Sequence, residues 1–209
     1  MTPEEFIDAV RDDVETELSR LGSSKSLYAD TGGEMDAETV LAAGADAEHH
    51  AAATYEAWAT AESDPAAREA WAETAAEERD HYDRVAGELD AHDPSEAVPA
   101  IQAYLRGLDD TVARAGGFVG RTLASDASKS QLTGFFTGQA DPQTASLFRE
   151  LRGDLDDQLD RALELLADRC ADEDDWERAR EAAVGAVEAA YGEYVERLES
   201  MGVNPKPVC

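Results

Sequence analysis

The stretches that decide the fold are VLAAGADAEHHAAATY, residues 40–55, and WAETAAEERDHY, residues 71–82. Both are rich in alanine, and their apolar side chains recur at three- and four-residue steps, as in a helix buried on one face. The only break between them is the Ser63-Asp64-Pro65 segment, which combines a turn with a helix-start signal. The two stretches therefore predict an antiparallel helical hairpin, with helices from about 36 to 62 and from about 65 to 89.

One glutamate lies in the middle of the apolar stripe of each predicted helix. Glu48 is 15 to 16 residues before the turn, and the midpoint of Glu78 and His81 is 15 to 16 residues after it. At a rise of about 1.5 Å per residue, all three side chains lie roughly 23 Å from the turn and face one another. Because a buried ionised glutamate is costly unless it is paired or bound to a metal, this arrangement predicts a site for iron, with manganese as the alternative.

An alternative is that Glu48 and Glu78 lie at the edges of their apolar faces and reach water, since glutamate is common in so acidic a chain. The equal distance of the three residues from the turn favours the metal site. His49 and His50 adjoin Glu48, but a helix turns them away from its direction, so we expect both to be partly exposed.

The remaining sequence predicts more helices and no sheet. We expect one all-α domain over residues 1–209, with a bundle core at 36–168 and with flanking helices and a tail at 1–35 and 169–209. Outside the hairpin, the apolar stripes predict helices from about 3 to 21, 95 to 124, 141 to 168 and 173 to 200, a loop of about a dozen residues from 22 to 33, and a short amphipathic connector from 125 to 140.

The composition narrows the classes of function. The net charge is −29, from 47 acidic and 18 basic residues, only three of which are lysines. The acidic residues are spread along the predicted helices, which indicates adaptation to multimolar salt, as in halophilic proteins. The sequence has no basic patch that could bind nucleic acid. A signal peptide and an apolar stretch of membrane length are absent, which predicts a cytoplasmic protein without a membrane partner. Cys170 and Cys209 form no C-x-x-C pair, which argues against a rubredoxin-type iron site.

Residues 36–89 resemble the first helical pair of a rubrerythrin or ferritin-like protein, through Glu48 and the Glu78-x-x-His81 motif. The resemblance implies a ferritin-like four-helix bundle that binds iron or manganese through Glu48, Glu78 and His81. It also implies that the protein oxidises Fe(II) or reduces peroxide. A peroxidase of this kind would need an external electron donor, because the chain has no rubredoxin-like segment.

The chain departs from the family pattern in its second helical pair. The predicted fourth helix has no glutamate after Glu96, and Glu150-Leu-Arg-Gly153 stands where Glu-x-x-His is expected. Short substitutes for the missing ligands are available in Asp109, Asp110, Asp154 and Asp157. A ferritin-like crossover between the second and third helices must run the length of a helix, roughly 37 Å for 25 residues. The linker 90–98 spans at most about 30 Å when fully extended, so it is too short for such a crossover. The sequence therefore predicts up-down-up-down connectivity.

Two hypotheses of different class follow from this half-site, and the first is a di-iron protein that oxidises Fe(II) or reduces peroxide. The separation of 30 residues between Glu48 and Glu78 resembles that of encapsulated ferritins, in which two chains complete one site, and therefore predicts a homodimer. The competing hypothesis is a metal-free helical interaction or scaffold protein with a degenerate site. A third reading, an acidic mimic of nucleic acid, rests on charge alone.

Overall fold

In a computed structural model, residues 1–206 are described and form an all-α protein, with no strand among them. This confirms that the protein is all-α, whereas its ferritin-like character stays a prediction. None of the helices in this part of the chain combines the length and apolar character needed to cross a bilayer. The helices are α1 (Pro3–Asp13), α2 (Glu15–Leu21), α3 (Ser24–Asp30), α4 (Ala37–Ala61), α5 (Pro65–Ala86), α6 (Ala100–Arg106), α7 (Thr111–Gly138), α8 (Pro142–Arg169) and α9 (Glu173–Ser200).

The predicted hairpin is present as α4 and α5. The Asp36 side chain caps α4 by accepting from the backbone N–H of Thr39. The Asp64 side chain does the same for α5, whose first residue is Pro65. These caps satisfy backbone donors that a helix leaves unpaired at its N-terminus, and proline fits the first position because it has no such donor. Local sequence thus sets where both helices begin.

The chain reaches the second helical pair by a long crossover, and the predicted up-down-up-down connectivity is wrong. Thr111, at the start of α7, donates to Glu62 beside the turn, whereas Lys129 further along α7 donates to Glu48. Helix α7 is therefore antiparallel to α4 and parallel to α5. The prediction failed because the linker is 87–110 and not 90–98, and these 24 residues are long enough to return along the hairpin.

Four other boundaries differ from the sequence prediction. The expected loop 22–33 contains the short helix α3. Residues 125–138 continue α7 and do not form a separate connector. The predicted fourth helix is broken after Arg106, and a new helix begins at Thr111 because the Asp110 side chain accepts from two backbone N–H groups of its first turn. The first predicted helix is likewise divided at Val14 into α1 and α2.

The bundle of α4, α5, α7 and α8 holds two apolar clusters at different heights. The first includes Tyr55, Trp71 and Phe118, and the second includes Val40 and Phe136. On α4, Glu48 lies between Ala45 of the second cluster and Ala51 of the first, and on α5, Glu78 lies between Ala75 and Val85 in the same way. A layer of polar residues therefore separates the two clusters.

Candidate functional site

The structure brings Glu48, Glu78 and His81 together in this polar layer. One ligand atom from each lies within 4.8 Å of the others. The His81 Nδ1 atom is 3.8 Å from Glu48 Oε2 and 3.8 Å from Glu78 Oε2, and no side chain of the three is more than 2% exposed. The edge-of-face alternative, in which the glutamates reach water, is therefore excluded. Whether the three residues bind a metal stays a prediction.

Arg121 of α7 neutralises Glu78, a contact that the sequence reasoning missed. Its Nη1 donates to Glu78 Oε1 at 2.6 Å and its Nη2 donates to Glu78 Oε2 at 2.8 Å. Gln158 of α8 completes this arrangement, because its Nε2 donates to Glu78 Oε1 at 2.8 Å and its Oε1 accepts from Arg121 at 3.1 Å. The two-pronged geometry is the strongest that an arginine and a carboxylate can form, and it occupies both oxygens of Glu78.

Lys129, also on α7, neutralises Glu48. Its Nζ donates to Glu48 Oε1 at 2.5 Å, and its side chain is only 4% exposed. The sequence held a signal for Arg121 alone, which is the only charged residue between Arg114 and Asp126. A charged residue inside a long apolar stretch of helix predicts a buried partner of opposite charge. Lys129 lies in the polar run Ser128-Lys129-Ser130-Gln131, which carries no such signal.

The outer nitrogen of His81 contacts the second helical pair. Its Nε2 is 3.0 Å from Oδ2 of Asp154, a half-exposed side chain of α8. Of the four aspartates that were expected as substitute ligands, Asp154 is the one that reaches His81, on the side away from the glutamates. Asp110 caps α7 instead, and neither it nor Asp109 or Asp157 joins the three-residue ligand cluster.

The buried charges balance within the layer. Glu48 and Glu78 carry two negative charges, and Arg121 and Lys129 carry two positive charges. Burial alone would raise the pKa of Glu48, but the charge of Lys129 and the proximity of His81 hold it well below its ordinary value. Burial opposes protonation of His81, yet Glu48 and Glu78 raise the pKa of its imidazole. The layer is a paired polar network and not an isolated pair of acids.

Two atoms of the layer lack hydrogen-bond partners within residues 1–206. They are Glu48 Oε2 and His81 Nδ1, and both are buried. An unsatisfied buried acceptor is costly, so a small ligand or water that reached these atoms would stabilise the layer.

The donor set does not fit the two metal ions of a di-iron centre. Such a site uses about four carboxylates and two histidines, whereas the described part of the chain brings together only Glu48, Glu78 and His81. Both oxygens of Glu78 are already bonded to Arg121. The positions from which α7 would supply further carboxylates to the layer carry Arg121 and Lys129.

The other histidines serve structural contacts. His50 Nε2 lies 2.9 Å from the carbonyl oxygen of Ser95, and its side chain is buried, contrary to expectation. His92 Nε2 lies 3.2 Å from Asp46 Oδ1. Both contacts fix the start of the crossover against α4.

Cys170 is a partly buried free thiol whose pKa is raised to about 11 by burial, and Cys209 lies outside the described residues.

Comparisons of the chain with protein-family models, with curated proteins and with solved structures give no match. The resemblance to rubrerythrins and ferritin-like proteins therefore rests on the Glu48 and Glu78-x-x-His81 motif and stays a prediction.

Proposed function

We propose that this protein is a metal-independent helical bundle that acts by binding a partner and not by redox chemistry. The observation that carries the proposal is the two-pronged bond from Arg121 to Glu78, accompanied by the bond from Lys129 to Glu48. Arg121 and Lys129 neutralise Glu78 and Glu48. The two carboxylates therefore do not need metal ions to balance their charge.

Electrostatics supports this reading. Arg121 Nη2 lies 3.8 Å from Glu48 Oε2, the carboxylate oxygen that has no hydrogen bond within residues 1–206. A divalent ion on that oxygen would face Arg121 on one side and Lys129 on the other. Repulsion from each cation would be on the order of several kcal/mol even at an effective dielectric constant of about 20. Metal binding would therefore have to displace at least one of the two cations.

The test is metal content, measured on protein purified without chelator in molar KCl. We expect the wild type to hold far less than one iron or manganese per chain after exposure to either ion. Removing both cations with Arg121→Gln and Lys129→Gln should create an anionic site that takes up metal. The control is Arg152→Gln with Lys206→Gln, which removes two exposed cations. About one iron per wild-type chain, lost in Glu78→Ala, would overturn the proposal.

A second candidate is a ferritin-like di-iron protein that oxidises Fe(II) or reduces peroxide. The observation that favours it is the pair of unsatisfied atoms, Glu48 Oε2 and His81 Nδ1, which lie 3.8 Å apart and face each other. Bound iron would supply the Fe(II)/Fe(III) couple, and Glu48 and His81 would hold it, while Glu78 could join them only after releasing Arg121. This candidate predicts metal uptake without any mutation.

The predicted homodimer belongs to this second candidate. A shared site would require the partner chain to reach Glu48 and Glu78, which are buried beneath residues of α7 and α8. Those helices would have to move before a second protomer could contribute ligands. Molar mass in high salt, measured with and without Fe(II), tests the homodimer separately. A dimer that forms only with iron would support the shared site, and a molar mass that iron leaves unchanged would contradict it.

A further inference from the structure

The last turns of α7 and the first turns of α8 form an end of the bundle that is almost free of charge. Asp141 is the only charged residue in the range 130–148, although 31% of all residues in the chain are charged. The side chain of Asp141 is itself used to cap α8, because it accepts from the backbone N–H of Thr144. We call residues 130–148 the uncharged tip.

The uncharged tip lies at the surface of the described part of the chain. Thr137, Gln139 and Gln143 are exposed, whereas Phe135 and Leu147 are half-buried and pack against the second apolar cluster. The tip extends roughly 13 Å along each helix, since it contains about nine residues of each, and two helices side by side are about 20 Å wide. It therefore presents a face of roughly 250 Å², which holds uncharged polar groups and two partly covered apolar side chains.

The absence of charge matters because charge is what keeps copies of this protein apart. A net charge of −29 makes the copies repel one another. All but one of the 47 acidic residues lie outside the uncharged tip, so this repulsion is weakest where two tips meet. A soluble protein usually carries charged residues at about a quarter to a third of its surface positions, which opposes association. The uncharged tip lacks this protection.

The composition of the tip also indicates which kind of partner fits it. A basic partner would be attracted to the acidic helices and would gain no electrostatic complementarity from an uncharged surface. A second copy of the chain presents the same uncharged surface, and a two-fold axis can bring the two tips together. The acidic surfaces of the two copies then stay apart, while Phe135 and Leu147 of both copies lose their remaining contact with water. These observations favour self-association.

We propose that two copies of the chain associate through their uncharged tips. This inference rests on the proposed partner-binding function and names a second copy as the partner. Each tip offers roughly 250 Å², well below the 800 Å² or so per partner of a standard interface, so the dimer is weak and dissociates on dilution. It differs from the homodimer predicted from the half-site, because it leaves Glu48 and Glu78 buried within each protomer and needs no iron.

The first experiment is sedimentation equilibrium of the full chain in molar KCl with a metal chelator, over a concentration series that reaches the millimolar range. We expect the average mass to rise towards that of the dimer as the concentration rises. The ¹⁵N NMR spectrum over the same series should change chiefly at residues 130–148. Dimerisation should weaken severalfold in about 0.1 M KCl, since the screening length grows from about 3 Å to about 10 Å. A monomeric mass at every concentration, or spectral changes centred on another face, would overturn the proposal.

A single charge added to the tip tests the location of the contact. Gln143→Glu adds one acid per copy at an exposed position in the first turn of α8, where a negative charge suits the helix N-terminus and preserves the fold. We expect this variant to dimerise at least severalfold more weakly than the wild type. Ala57→Glu adds the same charge at an exposed position of α4 and should dimerise like the wild type. Equal dimerisation of the two variants would overturn the proposal.

Metal uptake and self-association are measured separately, so the two proposals fail on different results. A protein that dimerises through its tips but takes up iron would contradict the proposed metal independence alone. A metal-free protein that stays monomeric at every concentration would contradict the contact between tips alone.

Discussion

Arg121 extends from α7 into the interior and contacts carboxylates from both helices of the hairpin. It donates twice to Glu78 and lies 3.8 Å from Glu48. Breaking a buried pair by removing one partner leaves an uncompensated charge, whereas replacing both partners with apolar groups is often neutral. The same residue thus stabilises the layer and limits what else the layer can bind.

We expect Arg121→Met to lower the free energy of unfolding by about 3–5 kcal/mol, because Glu78 is left buried and unpaired. The double variant Arg121→Met with Glu78→Met should recover much of that loss. Urea unfolding in molar KCl measures both. The control is Arg152→Met, which breaks a pair with Asp126 in which both side chains are nearly half-exposed and should cost less than about 1 kcal/mol. Equal losses in Arg121→Met and Arg152→Met would contradict the prediction.

His81 gives the layer a pH dependence. Against the effect of burial, Glu48 and Glu78 raise the pKa of its imidazole above the ordinary 6.5. A group whose pKa is higher in the folded state stabilises the protein fully below its unfolded value and loses this contribution as the pH rises through the folded value. We therefore expect the free energy of unfolding to fall as the pH rises above 6.5, and to fall less in His81→Gln.

The measurement is urea unfolding at a series of pH values in molar KCl. His49→Gln, which removes a half-buried histidine of α4 that contacts Tyr82, is the control and should keep the wild-type slope. A pH dependence that is identical in His81→Gln and the wild type would show that His81 does not contribute.

At the scale of elements, the position of α7 depends on its close approach to α9. A Cβ at Gly116 would overlap the backbone of Ala179, and one at Gly120 would overlap the backbone of Ala183. These two glycines lie one helical turn apart and face α9, which runs parallel to α7. Close contact of the two backbones holds α7 at the depth from which Arg121 and Lys129 reach the polar layer.

We expect Gly116→Ala and Gly120→Ala each to destabilise the protein by about 1–3 kcal/mol, because the added methyl group forces the two helices apart. The matched control is Gly134→Ala in the same helix, where an added Cβ has no neighbour within 4 Å among residues 1–206. That change should stabilise the protein by up to about 1 kcal/mol, since alanine is the better helix former. Thermal unfolding followed by circular dichroism distinguishes the two outcomes. A stabilising Gly116→Ala would show that α7 and α9 do not pack as described.

At the scale of the whole molecule, the net charge of −29 opposes the compact state. The two buried glutamates of the layer are matched by Arg121 and Lys129, so the excess negative charge lies on the outer faces of the helices. Self-repulsion among these acids is screened over about 3 Å in 1 M salt but extends over about 10 Å in 0.1 M salt. Because like charges on these faces repel one another, the stability of the fold depends on screening.

We expect the melting temperature to fall steadily as KCl is lowered from molar concentration to about 0.1 M, because repulsion between acidic faces grows as the screening length increases. Circular dichroism at 222 nm, the standard probe of helix content, gives the midpoint at each salt concentration. Sucrose is the control, because it is excluded from the protein surface but does not screen charge. Added at fixed low salt, it should raise the melting temperature less than KCl does. A melting temperature that does not change with KCl would contradict the role assigned to the surface charge.

The sequence by itself determined the helical hairpin and the convergence of Glu48, Glu78 and His81 within it. Capping by Asp36 and Asp64 and the apolar steps along 40–55 and 71–82 are local signals, and helical rise is constant. Counting residues from one short turn therefore placed Glu48 level with Glu78 and His81. No long-range contact was needed, because the two helices are joined directly.

Only the tertiary structure decided what faces those three residues. The linker 87–110 folds back along α4, so α7 runs parallel to α5 and presents Arg121 to Glu78 and Lys129 to Glu48. The path of a long linker and the rotation of the helix after it depend on packing between residues distant in sequence, such as Gly116 against Ala179. Local periodicity carries no information about that packing, which is why the acids were predicted and their cations were not.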